Sequence, residues 1–313
     1  MDDIKNLNGG VSGDPGEAPR AVTVGTFDGL HRGHVAVLSR LVQQALAAGL
    51  QPTMITFQPH PLQLINPEKA PLLLSDTAAK CHAAESLGID VALVPFTPAL
   101  MRLTAEEWMD FLRQRLHVRM IVMGHDNTFG SDGRLMTFAD YRRLGAEKGI
   151  EVIEAPKIEG ISSSAIRRAL ADGDISAAND MLGRHYDIQG EIVHGRHIGR
   201  TIGFPTANLA VDPQRQLPAP GVYAGYTGLP DGKIHVAVVN IGRCPTVTDD
   251  GPVTVEAYFP DYDGPDIYGE EIRILLPKRL RDERKFAGLG ELRSQLKRDT
   301  DEALRYFSAQ EQN

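Results

Sequence analysis

The sequence predicts two domains: an α/β domain with a parallel sheet, then a small antiparallel β domain with a C-terminal helix. The length of 313 residues is about twice that of a typical domain. In the first half, short and almost wholly apolar segments alternate with helical patterns, which is typical of a parallel sheet covered on both faces. In the second half, short alternating segments are separated by Pro, Gly and Asp, as in a small barrel or sandwich.

The α/β domain begins after a leader that has no hydrophobic periodicity. Residues 1–19 contain four Gly and two Pro, so we expect this leader to be flexible. Strand-like segments follow at 21–27, 53–57, 90–96, 118–124 and 151–155. Helical patterns lie between them at 33–48, 76–87, 104–116 and 137–149.

The pattern changes near residues 183–186, after a predicted pair of helices at 163–172 and 175–182. Beyond this point the strand-like segments are 186–193, 221–227, 233–240, 253–259 and 271–276, and a charged amphipathic helix follows at 289–307. We therefore predict an α/β domain at 20–184 and a β domain at 185–313.

Composition excludes several classes of protein. With 42% hydrophobic and 24% charged residues, the chain is an ordinary globular protein. The formal net charge of −8 opposes general nucleic-acid binding, which normally requires a basic surplus. No apolar segment approaches the roughly 20 residues that span a bilayer, and the N-terminus does not resemble a signal peptide, so we expect a cytoplasmic protein without membrane contact. Two distant cysteines, Cys81 and Cys244, predict neither a disulfide framework nor a zinc site.

A candidate phosphate site follows the first predicted strand. Gly25 to Leu30 is rich in turn residues, and His31-Arg-Gly-His34 opens the next helix. In a doubly wound sheet this strand end and helix N-terminus form a ligand crevice, in which backbone N–H groups and the helix dipole favour an anion. With Gly33 between them, both imidazoles can donate hydrogen bonds to one phosphate. A solvated helix start and a metal pair are the alternatives, but no neighbouring ligand cluster completes a metal set.

A second phosphate-like element lies at Ser162-Ser163-Ser164, with Arg167 and Arg168 following in the first helical turn. Serines at a helix start are also common caps, so this segment alone leaves both interpretations open.

The second half carries a loop of glycines and basic residues from His194 to Gly203, followed by Phe-Pro-Thr206-Ala-Asn208. Glycines allow close approach of the backbone to phosphates. On an extended segment the oxygens of Thr206 and Asn208 face one side, which suits Mg²⁺ carried by ATP phosphates. A hydrogen-bonded turn is the structural alternative.

These motifs resemble the HxGH nucleotidyltransferases and, more closely, the bacterial bifunctional riboflavin kinase/FMN adenylyltransferase family, over about residues 20–310. The resemblance implies a Rossmann-like HxGH domain in which His31 and His34 are catalytic. It implies ATP contacts from Gly25, Phe27, Asp28, Gly33, Ser163, Ser164 and Arg167. It places the flavin of this domain near Phe57, His60, Asp126 and Phe129.

For the second domain, the resemblance implies a riboflavin kinase β-barrel. Thr206 and Asn208 belong to a PTAN-type motif that holds Mg²⁺ with ATP, and Glu256 matches the catalytic base. The remaining implied kinase contacts are ATP at Gly195, Gly199, Arg200, Gly203, Thr206 and Asn208, and flavin at Arg281 and Phe286. Riboflavin, FMN and ATP are then the small-molecule partners, and FAD and pyrophosphate the final products.

Three alternatives remain open at this level. The chain departs from the family pattern at His125, Asn127 and Ala165, so one alternative is a riboflavin kinase with an impaired adenylyltransferase domain; a further departure, Tyr258, lies in the kinase domain. A second is an unrelated adenylyltransferase with a barrel module, which Glu256 and the PTAN-like motif oppose. A third is a non-enzymatic nucleotide- or nucleic-acid-binding protein, which the negative charge opposes. The sequence leaves the oligomeric state open.

Overall fold

The computed structural model describes residues 18–125, 127–195, 203–243 and 253–310. Most of the predicted leader, together with Asp126, Gly199, Arg200 and Cys244, therefore lies outside the described residues. Within the described ranges the chain divides into two compact units, residues 1–163 and 164–313.

The first unit contains a five-stranded parallel sheet of order β3-β2-β1-β4-β5. Its strands are β1 (Arg20–Val24), β2 (Gln51–Gln58), β3 (Asp90–Pro95), β4 (Val118–Met123) and β5 (Glu151–Glu154). All five match predicted segments, which confirms the α/β part of the fold prediction. Because the strand order reverses between β1 and β4, their carboxyl ends frame a crevice.

Helices cover both faces of this sheet. They are α1 (Arg32–Ala48), α2 (Pro61–Ile65), α3 (Thr77–Glu85), α4 (Pro98–Arg102), α5 (Ala105–Arg115) and α6 (Phe138–Lys148). Leu38 and Leu41 of α1 pack on one face of the sheet, while Trp108 and Leu112 of α5 pack on the other. The sequence analysis did not predict the short helices α2 and α4, because five residues are too few to show a helical period.

The second unit contains a closed antiparallel barrel of order β10-β7-β6-β11-β8-β9. Its strands are β6 (Tyr186–Val193), β7 (Thr206–Val211), β8 (Gly221–Gly228), β9 (Ile234–Arg243), β10 (Val253–Tyr258) and β11 (Glu271–Arg281). The structure thus decides for a barrel over a sandwich and confirms the fold expected from the resemblance. The strand list from sequence lacked β7, since polar Thr206 and Asn208 obscure the apolar alternation.

Three helices accompany the barrel: α7 (Ser163–Ala171), α8 (Ile175–Leu182) and α9 (Leu289–Gln310). Asn179 of α8 donates to the carbonyl of Leu276 at 3.0 Å and accepts from the backbone N–H of Tyr186 at 2.6 Å. These bonds attach α8 to β11 and β6, whereas the sequence analysis assigned it to the first domain. The predicted boundary after residue 184 stays a prediction. None of the described helices is long and apolar enough to cross a bilayer.

Candidate active sites

The first candidate site lies at the crevice between the ends of β1 and β4. Residues Gly25 to Leu30 follow β1, and Gly124 to Asn127 follow β4. The side-chain amide of Asn127 donates to the carbonyl of Val24, and its backbone N–H donates to the carbonyl of Gly124 at 3.0 Å. Asn127 therefore ties the two strand ends together.

The loop after β1 has an unusual backbone. Phe27, Gly29 and Leu30 have positive φ angles of 48°, 84° and 40°, a region that L side chains rarely adopt. Asp28, only 4% exposed, stabilises this shape because its carboxylate accepts from the backbone N–H groups of Leu74 at 2.9 Å and Ser75 at 3.2 Å. The Asp28 side chain is thus engaged in fixing the loop, and its predicted ATP contact stays a prediction.

His31 and His34 form a stacked pair at the start of α1. Their ring centroids are 3.6 Å apart and their planes differ by 14°. His31 is the N-cap of α1, since its Nδ1 accepts from the backbone N–H of His34 at 3.2 Å. A Cβ at Gly33 would lie 3.1 Å from the His31 ring, so the glycine leaves room for this arrangement.

Both imidazoles are neutral at pH 7. Burial lowers the pKa of His31 to about 4. Burial also lowers the pKa of His34 well below its ordinary value, assisted by the proximity of the His31 ring, which disfavours protonation of both rings, and by the charge of Lys80. Because Nδ1 of His31 accepts a hydrogen bond, its single ring proton is on Nε2. Nδ1 of His34 is buried and has no hydrogen-bond partner among the described residues. The pair can act through N–H donation without carrying positive charge.

The serine segment contributes to the same loop. The hydroxyl of Ser163 donates to the carbonyl of Asp28 at 3.0 Å, so the structure brings this predicted site residue to the Gly25–Leu30 loop. Ser164 and Arg167 lie in the first turn of α7 and belong to the second unit; Ser164 is exposed and Arg167 half-buried.

The predicted flavin residues of the first domain have structural contacts of their own. Phe57 is half-buried and packs edge-to-face on Phe96 at 5.4 Å between centroids. Phe129 is 7% exposed and packs on Tyr141, whose hydroxyl donates to the Phe129 carbonyl at 2.6 Å. His60 is the N-cap of α2. Their flavin contacts stay predictions.

The second candidate site lies on the outer face of the barrel. Glu256 of β10 is directly opposite Asn208 of β7 and also opposite Asn240 of β9. Directly opposite residues share one face of a sheet, and the neighbouring Val255 and Ala257 are buried in the barrel interior. The three polar side chains therefore share the outward face, and Thr206, two residues before Asn208, shares it as predicted.

Two glycines leave space for the polar groups of this face. A Cβ at Gly195 would lie 1.9 Å from the side-chain nitrogen of Asn208. A Cβ at Gly242 would lie 2.1 Å from a carboxylate oxygen of Glu283 and 3.3 Å from the side-chain nitrogen of Asn240. Gly203 has φ 82°, so it forms the turn that leads into the Phe204–Asn208 segment.

The oxygen donors of this face suit Mg²⁺. The described residues contain no cluster of three His, Cys, Asp or Glu side chains that could hold a metal by themselves. The face instead offers the Thr206 hydroxyl and the Asn208 amide oxygen, which are hard oxygen ligands, with the Glu256 carboxylate directly opposite Asn208. A few protein oxygens beside substrate phosphates are the usual environment of Mg²⁺, so the residues present fit the ion.

Arg281 and Phe286, the predicted flavin residues of the kinase, belong to a polar cluster at the start of the C-terminal segment. Arg281 donates from Nε and a terminal nitrogen to Asp299, which is 3% exposed, at 3.0 and 2.8 Å. The guanidinium groups of Arg281 and Arg284 lie 5.7 and 4.8 Å from the centre of the Phe286 ring. Arg281 therefore fixes the end of β11 to α9, and its flavin contact stays a prediction.

Three side chains near the sites were not predicted from the sequence as site residues. Asn240 joins Glu256 only through the pairing of β9 with β10, and Glu283, which follows β11, lies beside Gly242 of β9. Lys80 is buried below the Gly25–Leu30 loop, and the sequence pattern of α3 does not distinguish it from an exposed lysine.

Comparison with known proteins agrees with the two domains of the fold. A family model described as FAD synthetase matches residues 15–167, and one described as riboflavin kinase matches residues 182–307. The bifunctional riboflavin kinase/FMN adenylyltransferase of Bacillus subtilis is 36% identical over 300 residues, covering 93% of this chain and 94% of that protein. The Escherichia coli protein of the same name is 37% identical over 294 residues, covering 91% and 92%.

A solved structure shares the whole architecture. The crystal structure of a protein described as a macrolide-efflux protein from Streptococcus pneumoniae covers 95% of this chain and 95% of its own, with a TM-score of 0.83 and 31% identity. That description applies to the Streptococcus protein; the activities of this chain follow from the family models and relatives.

The fold and the two matching family models together define a two-domain nucleotide-dependent transferase. The chain belongs to the family of bifunctional riboflavin kinase/FMN adenylyltransferases, with the FAD synthetase domain first and the riboflavin kinase domain second. This confirms the family, the enzyme class and the domain order expected from the sequence.

Proposed function

We propose that the two domains act in succession on one flavin. The second domain transfers the γ-phosphoryl group of ATP to riboflavin, which gives FMN and ADP. The first domain then transfers the adenylyl group of a second ATP to FMN, which gives FAD and pyrophosphate. The observation that carries this proposal is the presence of two separate candidate sites, one in each compact unit.

In the adenylyl step, an oxygen of the FMN phosphate attacks the α-phosphorus of ATP and the bond to pyrophosphate breaks. No covalent intermediate with the enzyme is required, because the FMN phosphate is itself the nucleophile. His31 and His34 donate N–H groups to the phosphate oxygens on which charge develops, and their neutrality suits this role. Gly25, Phe27 and Gly33 shape the loop around the phosphates, while Ser164 and Arg167 are assigned to the pyrophosphate from the resemblance alone.

In the kinase step, the ribityl hydroxyl of riboflavin attacks the γ-phosphorus while Glu256 accepts its proton and ADP leaves. Thr206 and Asn208 would hold Mg²⁺, which neutralises charge on the ATP phosphates when bound. The glycines at 195, 199 and 203 and Arg200 would contact the nucleotide. The strand register that aligns Glu256 with Asn208 supports a base and a metal site on the same face.

The flavin contacts are proposed at Phe57, His60, Asp126 and Phe129 in the first domain and at Arg281 and Phe286 in the second. Both reactions consume ATP and act on small molecules, and we propose the cytoplasm as the place where they occur. Nucleic acid is not among the proposed partners, since the net charge is −8.

The test is a time course in which the purified chain is incubated with riboflavin, ATP and Mg²⁺ and the flavins are separated. We expect FMN first and FAD later. The His31→Ala variant should form FMN but no FAD, because it lacks an N–H donor for adenylyl transfer. The Glu256→Gln variant should form FAD only when FMN is supplied, because it lacks the base for riboflavin phosphorylation. FMN without FAD in the unaltered chain would contradict the adenylyltransferase assignment. Loss of both activities in one folded variant would contradict the two-site arrangement.

A further inference from the structure

A buried lysine lies beneath the Gly25–Leu30 loop, outside the residues assigned so far. Lys80 is on α3 and is only 8% exposed. Its Nζ donates to the carbonyl of Thr26 at 2.9 Å. Removing an ammonium group from water is costly, so a buried lysine requires compensating partners.

The compensation comes from the loop itself. The Thr26 carbonyl accepts from Lys80 and from the hydroxyl of Thr56 at 3.2 Å, so it points into the protein. Burial lowers the pKa of Lys80, while the carboxylate of Asp28 is the strongest of the nearby groups that oppose this shift. The ammonium group and Asp28 thus attract each other within the same loop region.

The loop needs such support because of its backbone. Phe27 and Leu30 have positive φ angles although both carry side chains, and such strained positions persist only where the surrounding structure holds them. A Thr26 carbonyl that is held inward also cannot repel phosphate oxygens in the crevice. The charge of Lys80 additionally contributes to keeping His34 neutral, after burial and the proximity of the His31 ring.

We propose that Lys80 is a positioning residue for adenylyl transfer: it holds the Thr26 carbonyl inward and thereby fixes the Gly25–His34 segment for the phosphates of ATP. This inference rests on the proposed adenylyltransferase reaction. Lys80 acts through the loop and through His34 and does not itself contact the substrate. Its loss should therefore reduce kcat for adenylyl transfer more than it changes the KM for ATP.

The decisive variant is Lys80→Met, which keeps the length of the side chain and removes the charge. We expect kcat for FAD formation from FMN to fall about 100-fold, as for a small misplacement of catalytic groups. The KM for ATP should change less than about threefold, since the ground-state contacts of ATP are untouched. Riboflavin phosphorylation by the same molecules should be unchanged. Lys69→Met, an exposed lysine of the same unit, is the matched control and should stay within about twofold of the unaltered chain.

Two further variants keep the test decisive if Lys80→Met folds poorly, which fluorescence of the single tryptophan, Trp108, would reveal. Lys80→Arg restores a charged donor, so its kcat for FAD formation should be about tenfold higher than that of Lys80→Met. Thr56→Val removes the other donor to the Thr26 carbonyl and should lower kcat about fivefold without changing the KM.

A folded Lys80→Met chain with an unchanged kcat would overturn the proposal. So would a loss confined to the KM for ATP, or a loss that Lys80→Arg does not relieve. FAD formation by the unaltered chain, and its loss in His31→Ala, test the proposed function separately, so failure of one can be distinguished from failure of the other.

Discussion

The two histidines at the start of α1 are neutral because of their position, and this has a consequence for stability. His31 is 6% exposed and its pKa is lowered to about 4 by burial. A histidine in the unfolded chain has a pKa near 6.5. Between these two values the unfolded state binds more protons than the folded state, so lowering the pH favours unfolding.

We therefore predict that His31 does not lower the unfolding free energy of the first unit above pH 6.5. As the pH falls from 6.5 towards 4, the unfolding free energy should decrease, because the unfolded chain binds a proton at His31 and the folded chain does not. The contribution of His31 over this window is about 3 kcal/mol. Urea unfolding at pH 7 and at pH 4.5, followed by Trp108 fluorescence, measures it. Trp108 is the only tryptophan and is buried in the first unit.

The matched variant is His31→Asn, because asparagine also serves as an N-cap but does not titrate in this range. Between pH 7 and pH 4.5, the unfolding free energy of this variant should fall less than that of the unaltered chain. His34 is present in both proteins, so its effect on the pH dependence is the same in each. Equal pH dependence in the two proteins would show that His31 is not desolvated in solution.

At the scale of elements, the kinase site depends on the pairing of β7, β10 and β9. The register places Asn208, Glu256 and Asn240 side by side, and a shift by one residue would turn Glu256 into the barrel interior. Gly195, two residues after the end of β6, completes the arrangement by leaving space for the Asn208 amide.

Gly195→Ala should therefore lower riboflavin kinase activity by at least about tenfold, since a Cβ 1.9 Å from the Asn208 nitrogen displaces that amide. The displaced atom is the end of a flexible side chain, so the barrel should remain folded and FAD formation from FMN should continue unchanged. Gly228→Ala, at a barrel glycine whose Cβ would meet nothing within 4 Å, is the control. Equal kinase rates in the two variants would show that the Asn208 amide is not part of the proposed site.

At the scale of the whole molecule, each compact unit has its own core and its own candidate site. Because FMN is not attached to the enzyme in either reaction, we expect it to leave the kinase site before it enters the adenylyltransferase site. Labelled riboflavin, supplied with ATP and a large excess of unlabelled FMN, should then give FAD whose label is diluted to that of the free FMN pool. If the labelled fraction of FAD exceeds that of the free FMN pool, FMN is not released between the two reactions and passes directly from one site to the other.

The sequence by itself determined the local features of this protein. The parallel strands of the first unit are continuous apolar segments, and the His31–His34 pair stands directly after one of them, so neighbouring residues alone indicate a phosphate crevice. Thr206 and Asn208 were likewise predicted to share a face from their spacing alone. These features depend on the geometry of one strand or one helix turn, which a short segment encodes.

The tertiary structure alone decided which distant side chains meet. Asn240 joins Glu256 through the pairing of β9 with β10, and Glu283 reaches Gly242 of β9 from the chain after β11; no periodicity in the sequence specifies either contact. Lys80 reaches Thr26 across 54 positions, and Arg281 is committed to Asp299 of α9. Whether a charged side chain is buried and paired depends on long-range packing, because the cost of desolvation is offset only by partners that folding brings together.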